Sequence, residues 1–196
     1  VRRERPLTIA AGTPIATGTP SGDDVLQLVY DLVDDLLAAA TAPLLGIAVG
    51  TPGLIDPQGG IVRQAVNLGW ENVPLRALLA AHTDLPVYIA NDSQAAALGE
   101  FTFGSGGSDS QNMIVVKVGQ GIGAGIVLNG QPFYGDGFAA GEIGHVVVAE
   151  NGALCRCGNT GCLETIASTR VVLDNAALLL KQDTVAWQEI ETALAA

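Results

Sequence analysis

The run Leu44-Leu45-Gly46-Ile47-Ala48-Val49 is apolar without a break and stops at Gly50-Thr51-Pro52-Gly53. Such a run, closed by a tight turn, reads as a strand covered on both faces, which is how strands of a helix-flanked parallel sheet look. The flanking segments agree with that reading. Ser21 stands where a helix cap belongs, followed by Asp23 and Asp24, where free amides and the positive dipole end favour carboxylates. From there Val25, Leu28, Val29, Leu32 and Leu36 keep helical spacing to about residue 40. Residues 74–82 read as a short helix, 85–90 as a strand and 92–101 as an Ala-rich helix. The fold class is α/β.

Gly104-Ser105-Gly106-Gly107-Ser108-Asp109-Ser110 is the most linker-like stretch, so a boundary is expected there. It separates an N-terminal α/β lobe, residues 1–107, from a C-terminal α/β lobe, residues 108–196. In the second lobe, residues 113–118 and 122–128 read as strands joined by a glycine turn, and 145–148 as another strand. From 163 to the end the chain reads as helical, with Leu173, Ala176, Ala177 and Leu180 on one face.

Charge and composition exclude several function classes. With 48 % apolar and 15 % charged residues the chain is no extended disordered segment. At 196 residues it buries about 70 % of its unfolded surface, so a core needs neither disulfide nor metal. A net charge of -11 repels a phosphodiester backbone, so no direct nucleic-acid contact is expected. No apolar run approaches the roughly 18 residues of a membrane span, and the charged N-terminus has no apolar segment behind it. A cytoplasmic location without membrane attachment is expected.

The three cysteines all fall within residues 155–162, too few and too close for a disulfide framework. With His145 ahead of them, Cys155, Cys157 and Cys162 make the Cys3His set of a closed structural zinc site, and the intervening glycines permit a tight loop. Four protein ligands leave no position for an activated water, so such a metal would fix the loop. Three unpaired thiols in a surface loop are the alternative on spacing alone. In Val118-Gly119-Gln120-Gly121-Ile122-Gly123, the alternating Gly119, Gly121 and Gly123 expose amides that can approach a phosphate. The spacing is neither the Rossmann nor the P-loop pattern, and a plain β-hairpin explains it at least as well. Asn91-Asp92 follows a strand and opens a helix, where α/β proteins commonly bind ligands, although Asp92 as a simple helix cap accounts for it too. Glu142 and Glu164 flank the metal loop. Together these acids suit a polyhydroxylated ligand; singly, each reads as a solvated surface carboxylate.

Taken together, the segments resemble the ROK family of repressors, open reading frames and sugar kinases, built on the two-lobed actin-like ATPase (ribonuclease H-like) fold. The resemblance is carried by Gly46-Ile47-Ala48-Val49-Gly50-Thr51-Pro52-Gly53-Leu54-Ile55-Asp56, by Asn67-Leu68-Gly69-Trp70 with Val73-Pro74-Leu75, and by Asn91-Asp92 with Ala95-Ala96-Ala97. It continues from Val118 through Gly141-Glu142-Ile143-Gly144-His145 and the 155–164 loop. It implies that Asp92 corresponds to the general base of the kinases, that Asn91, Glu142 and Glu164 hold the sugar, and that His145 binds zinc through one ring nitrogen and reaches the sugar with the other.

The departures from the family pattern lie on the nucleotide side. The Asp-x-Gly-x-Thr phosphate hairpin of the kinases is not in this sequence, and family members continue past the zinc-loop helix, so a fold incomplete at both ends is expected. Gln120 stands where kinases typically carry Thr, and Gln94 where they carry Asn. The expected function is therefore the sugar-sensing domain of a ROK-type (NagC-like) transcriptional regulator. It would bind a sugar or amino sugar, hold structural zinc, assemble as a homo-oligomer and reach DNA only through a separate module. The alternative is a ROK sugar kinase of the glucokinase type, using ATP and Mg with Asp92 as base. A zinc-stabilised interaction domain without a small ligand is the third reading.

Overall fold

The structure, a computed structural model, describes residues 2–3, 22–104 and 110–194. The predicted cap Ser21 and residues 105–109 of the predicted linker lie outside the described residues. The chain divides into two compact units, Val1–Ala95 and Ala96–Ala196.

In the first unit, helix α1 (Gly22–Ala38) precedes strand β1 (Ile47–Thr51). Three short strands follow, β2 (Leu54–Asp56), β3 (Ile61–Ala65) and β4 (Trp70–Val73), then helix α2 (Leu75–Thr83) and strand β5 (Val87–Asn91). β1 and β5 pair in parallel, from Ile47 against Val87 to Thr51 against Asn91. Parallel neighbours need a long crossover, and the β2–β4 meander with α2 supplies it. Val25, Val33, Ile55, Val62, Trp70, Leu75, Leu79, Val87 and Ile89 form the core.

Two expectations are corrected here. The strand begins at Ile47, and its residues alternate between half-buried and exposed, with Leu45 94 % exposed before it. One face of β1, not both, is therefore packed. On α1 the buried positions are Val25 and Val33, while Leu36 is 44 % exposed. The apolar stripe runs 25, 29, 33, 37, so of the predicted 25, 28, 29, 32 and 36 it keeps Val25 and Val29 and turns to Val33 and Leu37 for the rest. In the same orientation Tyr30 stacks on His82 of α2 at 4.5 Å, with His82 Nε2 also 2.8 Å from Asp34 Oδ1.

Helix α3 (Asp92–Phe103) begins directly after β5, and the division between units falls within it. The second unit then holds β6 (Met113–Val118), β7 (Ile122–Leu128) and the short β8 (Gln131–Pro132), an antiparallel sheet in that order. The predicted hairpin is present, with Val118 paired to Ile122 across the glycine turn. The predicted strand at 145–148 is not. Residues Ile143–His145 form a 3-10 turn, and Val147 makes only an isolated bridge with Cys162. The single predicted C-terminal helix is three: α4 (Glu164–Ala167), α5 (Thr169–Leu180) and α6 (Trp187–Leu194). Ser168, fully buried, breaks it because its extended backbone caps α5, its hydroxyl accepting the Val171 N–H. On α5, Ala177 is buried and Leu180 is exposed. No helix among the described residues is long and apolar enough to cross a membrane.

Candidate functional site

Two groups of predicted site residues can be built up separately, one in each unit. In the first, Thr51 and Asn91 end adjacent parallel strands side by side, the place where α/β sheets present ligand-binding groups. Buried Asn91 is held at both ends of its amide. Its Nδ2 donates to the Gly53 carbonyl at 3.0 Å, and its Oδ1 accepts the N–H groups of Ser93 at 2.9 Å and Gln94 at 3.2 Å. Asn91 is thus the N-cap of α3, satisfying two of the free amides of its first turn. The capping role open to Asp92 in the sequence belongs to its neighbour. Half-buried Asp92 lies beside Gly50, and its Oδ1 accepts the Ser93 hydroxyl at 3.3 Å.

In the second unit, one imidazole joins two chemistries. His145 Nδ1 lies 3.6 Å from Cys155 Sγ, and Cys157 and Cys162 Sγ are 3.6 Å apart. All four donor atoms fall within 4.8 Å of one another. A zinc tetrahedron with Zn–S bonds of about 2.3 Å has edges of about 3.8 Å, so the donor set fits a metal ion of that size and softness. The other nitrogen, Nε2, faces Glu142 Oε2 at 3.7 Å, the outer carboxylate partner that metal-binding histidines commonly have.

The backbone explains why residues so far apart in sequence meet. Leu163 N–H donates to the Val146 carbonyl and Val148 N–H to the Gly161 carbonyl, both at 2.9 Å, so the returning loop lies antiparallel to the segment after His145. Cys155 N–H closes the loop tip on the Asn159 carbonyl at 2.7 Å. Gly141, at φ +94°, and Gly144 seat the His145 turn on β7, where a Cβ would collide with the carbonyls of Ala124 and Ile122. Only glycine permits that approach.

Cys155 and Cys162 are buried and Cys157 is exposed. Burial, together with the Cys157 and Cys155 sulfurs, pushes the Cys162 thiol up to about 12. Burial also raises Cys155. At Cys157 burial is outweighed by the Asn159 amide and the neighbouring sulfurs, and its thiol is lowered. A metal-free loop therefore keeps protons on its two inner sulfurs, which a divalent cation would expel.

Glu164 opens α4 two residues after Cys162, and its Oε2 accepts the Ile122 N–H at 3.0 Å. The predicted phosphate-loop glycines sit at this turn: the Gly119 N–H donates to the Gly121 carbonyl at 2.9 Å, and Gly123 lies in β7 opposite Lys117. In the second unit the structure thus brings together His145, the three cysteines and Glu142 on one side, and Glu164 with Gly119 and Gly121 on the other.

A family model described as ROK family matches residues 8–194. The chain belongs to the ROK family. A xylose repressor from Caldicellulosiruptor bescii is 39 % identical over 176 residues, covering 86 % of this ROK chain and 44 % of the repressor. A glucokinase from Halalkalibacterium halodurans is 44 % identical over 144 residues, covering 71 % of the chain and 43 % of the enzyme. The chain thus spans less than half the length of these relatives. Among solved structures, a ROK family glucokinase from Streptomyces griseus in complex with glucose and AMPPNP matches with a TM-score of 0.73 and 31 % identity. It covers 83 % of this chain and 51 % of that one. The fold of this ROK protein is accordingly the actin-like ATPase fold of its structural relatives.

Sequence reasoning missed the backbone partners in the site. The Ile122 amide and the Gly119 carbonyl, which accepts the Thr169 N–H at 2.8 Å, carry no side-chain signal. The capping role of Asn91 was legible in principle, since Asn is as good an N-cap as Asp.

Proposed function

We propose that this ROK chain is the sugar-sensing, ligand-binding part of a transcriptional regulator. Asn91 and Asp92 in the first unit and Glu142, His145 and Glu164 in the second each offer groups to a sugar or amino sugar, and zinc held by His145, Cys155, Cys157 and Cys162 fixes the loop that presents the two acids and the imidazole of the second unit. The observation that carries the reading is the two-sided placement of His145, with Nδ1 toward the sulfurs and Nε2 toward Glu142. A metal that orients the ring through one nitrogen leaves the other as a directed partner for a hydroxyl. A zinc ion with four protein ligands supplies rigidity and no reactive water.

The regulator reading draws support from the xylose repressor, whose match spans more of the chain than that of the glucokinase. Exposed Gln120 stands at the glycine turn where the resembled kinases carry a hydroxyl. With a net charge of -11, DNA contact is delegated to a separate basic module, and a sugar acts by favouring one arrangement of a homo-oligomer over another.

One observation favours a second reading, an ATP-dependent sugar kinase. Asn91 performs the capping of α3, so the Asp92 carboxylate is not needed for it and suits a general base on a sugar hydroxyl. ATP with Mg would then meet the turn of Gly119, Gly121 and Gly123, where the Gly119 N–H is already donated to the Gly121 carbonyl and Gly123 is paired with Lys117, which counts against this reading.

Titration calorimetry of the zinc-loaded protein with xylose, glucose and N-acetylglucosamine tests the first reading. One of them should bind, and Glu142→Ala should weaken it about tenfold or more. Binding of none overturns the proposal. Sugar-dependent ADP formation that Asp92→Asn abolishes would replace the regulator reading with the kinase reading.

A further inference from the structure

We propose that Glu164 is a positioning residue for the glycine turn between β6 and β7, tying that turn to the metal loop. The inference extends the carbohydrate reading only in its last step; the clamp itself rests on geometry within one unit.

Both arms of the turn are held from the same short segment. The Ile122 N–H donates to Glu164 Oε2 at 3.0 Å on one arm, and the Thr169 N–H donates to the Gly119 carbonyl at 2.8 Å on the other. Between them the carboxylate packs directly on the turn: a Cβ added to Gly121 would lie 2.6 Å from Oε2. Amide-to-carboxylate bonds are charge-assisted and about twice as strong as neutral ones.

The anchor of that carboxylate is the metal loop. Cys162 is fully buried two residues earlier, its carbonyl accepts both the Thr165 N–H at 2.9 Å and the Thr165 hydroxyl at 2.7 Å, and Leu163 is fixed to Val146. Whatever orders Cys162 orders the first turn of α4, and with it the Ile122 amide. A carboxylate has acceptor sites to spare on its second oxygen. A sugar hydroxyl donated there would lock the same rotamer and stiffen the glycine turn without touching it.

Hydrogen exchange at the Ile122 amide of the zinc-loaded chain, measured without ligand, decides the clamp. Glu164→Ala should accelerate exchange at Ile122 at least about tenfold while zinc stoichiometry and the exchange of Met113–Val118 hold. Glu164→Gln, whose amide oxygen still accepts, should stay near wild type. Gly121→Ala should resemble Glu164→Ala, since its methyl displaces the carboxylate from the other side. Chelating the zinc should loosen Ile122 in the wild type and add little in Glu164→Ala. Wild-type exchange at Ile122 in Glu164→Ala, or acceleration spread evenly across β6 and β7, overturns the proposal. Glucose or N-acetylglucosamine should slow Ile122 further in the wild type. A chain that passes the ligand-free test but ignores both sugars keeps the clamp, and one that ignores xylose as well loses the carbohydrate reading.

Discussion

His145 Nε2 lies 3.7 Å from Glu142 Oε2, three residues earlier in the chain, while Nδ1 of the same ring points at the Cys155 sulfur. The carboxylate stands on the Nε2 side of the ring, longer than a hydrogen bond but near enough to favour the tautomer protonated there, which ligates through Nδ1. Glu142→Gln should weaken zinc binding about tenfold to a hundredfold, the usual effect of losing an outer partner. Competition with a chromogenic chelator reads the affinity directly.

Direct loss of a ligand is more severe. Zinc content should be about one per chain by elemental analysis, and Cys162→Ser should abolish it, because it removes a buried sulfur from a set of four donors. The same variant should lower the melting temperature of the second unit and leave the α2–β5 core of the first unaffected. Zinc-free wild type from reduced protein would refute the metal assignment.

Gly141 and Gly144 answer to a different constraint. A Cβ at Gly141 would overlap the Ala124 carbonyl, in a backbone conformation that already disfavours any side chain. Gly141→Ala should cost about 1–3 kcal/mol in denaturant unfolding and reduce zinc content through displacement of His145.

Asn91 and Asp92 should separate stability from chemistry. Asn91→Ala removes a cap that accepts two amides and a tie to Gly53, at a cost of about 1–2 kcal/mol, whereas Asn91→Asp keeps the cap. Asp92→Asn should shift stability by less than about 0.5 kcal/mol and act on ligand binding or turnover instead. Chemical denaturation beside calorimetry distinguishes the two.

Asp56 makes the first unit acid-sensitive. The Gly59 N–H at 2.7 Å outweighs the effect of burial, and with the Arg63 guanidinium at 2.8 Å it holds the Asp56 carboxyl below its usual value. A carboxyl lowered in the folded state stabilises fully above its unfolded pKa and loses that contribution as pH falls through the folded one. Stability should therefore drop below about pH 4, more steeply in wild type than in Asp56→Asn. Thermal melts across that range provide the comparison.

The clustering of His145 with the three cysteines, the β6–β7 hairpin and helices α2 and α3 were legible because each is encoded locally, by chemistry that few residue types share or by a period in a short window. The β2–β4 sheet was not. Its strands are three to five residues long and carry Asp56, Arg63, Gln64, Glu71 and Asn72, which show no strand period until pairing and the Asp56 to Arg63 bridge place them. The one-sided packing of β1 and the rotation of α1 escaped for a related reason. Leu28, Val29, Leu32, Val33, Leu36 and Leu37 offer two adjacent apolar stripes, and only packing against the core, with Tyr30 stacked on His82, distinguishes them.

By itself, then, the sequence determined which atoms are available: three sulfurs, one imidazole, the acids around them and the glycines that let backbones approach. Tertiary structure decided what those atoms face. That the Asn91 amide ties to the Gly53 carbonyl and that Glu164 holds the Ile122 amide depend on backbone groups distant in the chain, while the division of the His145 nitrogens between sulfur and carboxylate depends on the loop that returns to it. Backbone amides and carbonyls are the same at every residue, so no side-chain pattern announces which of them will meet.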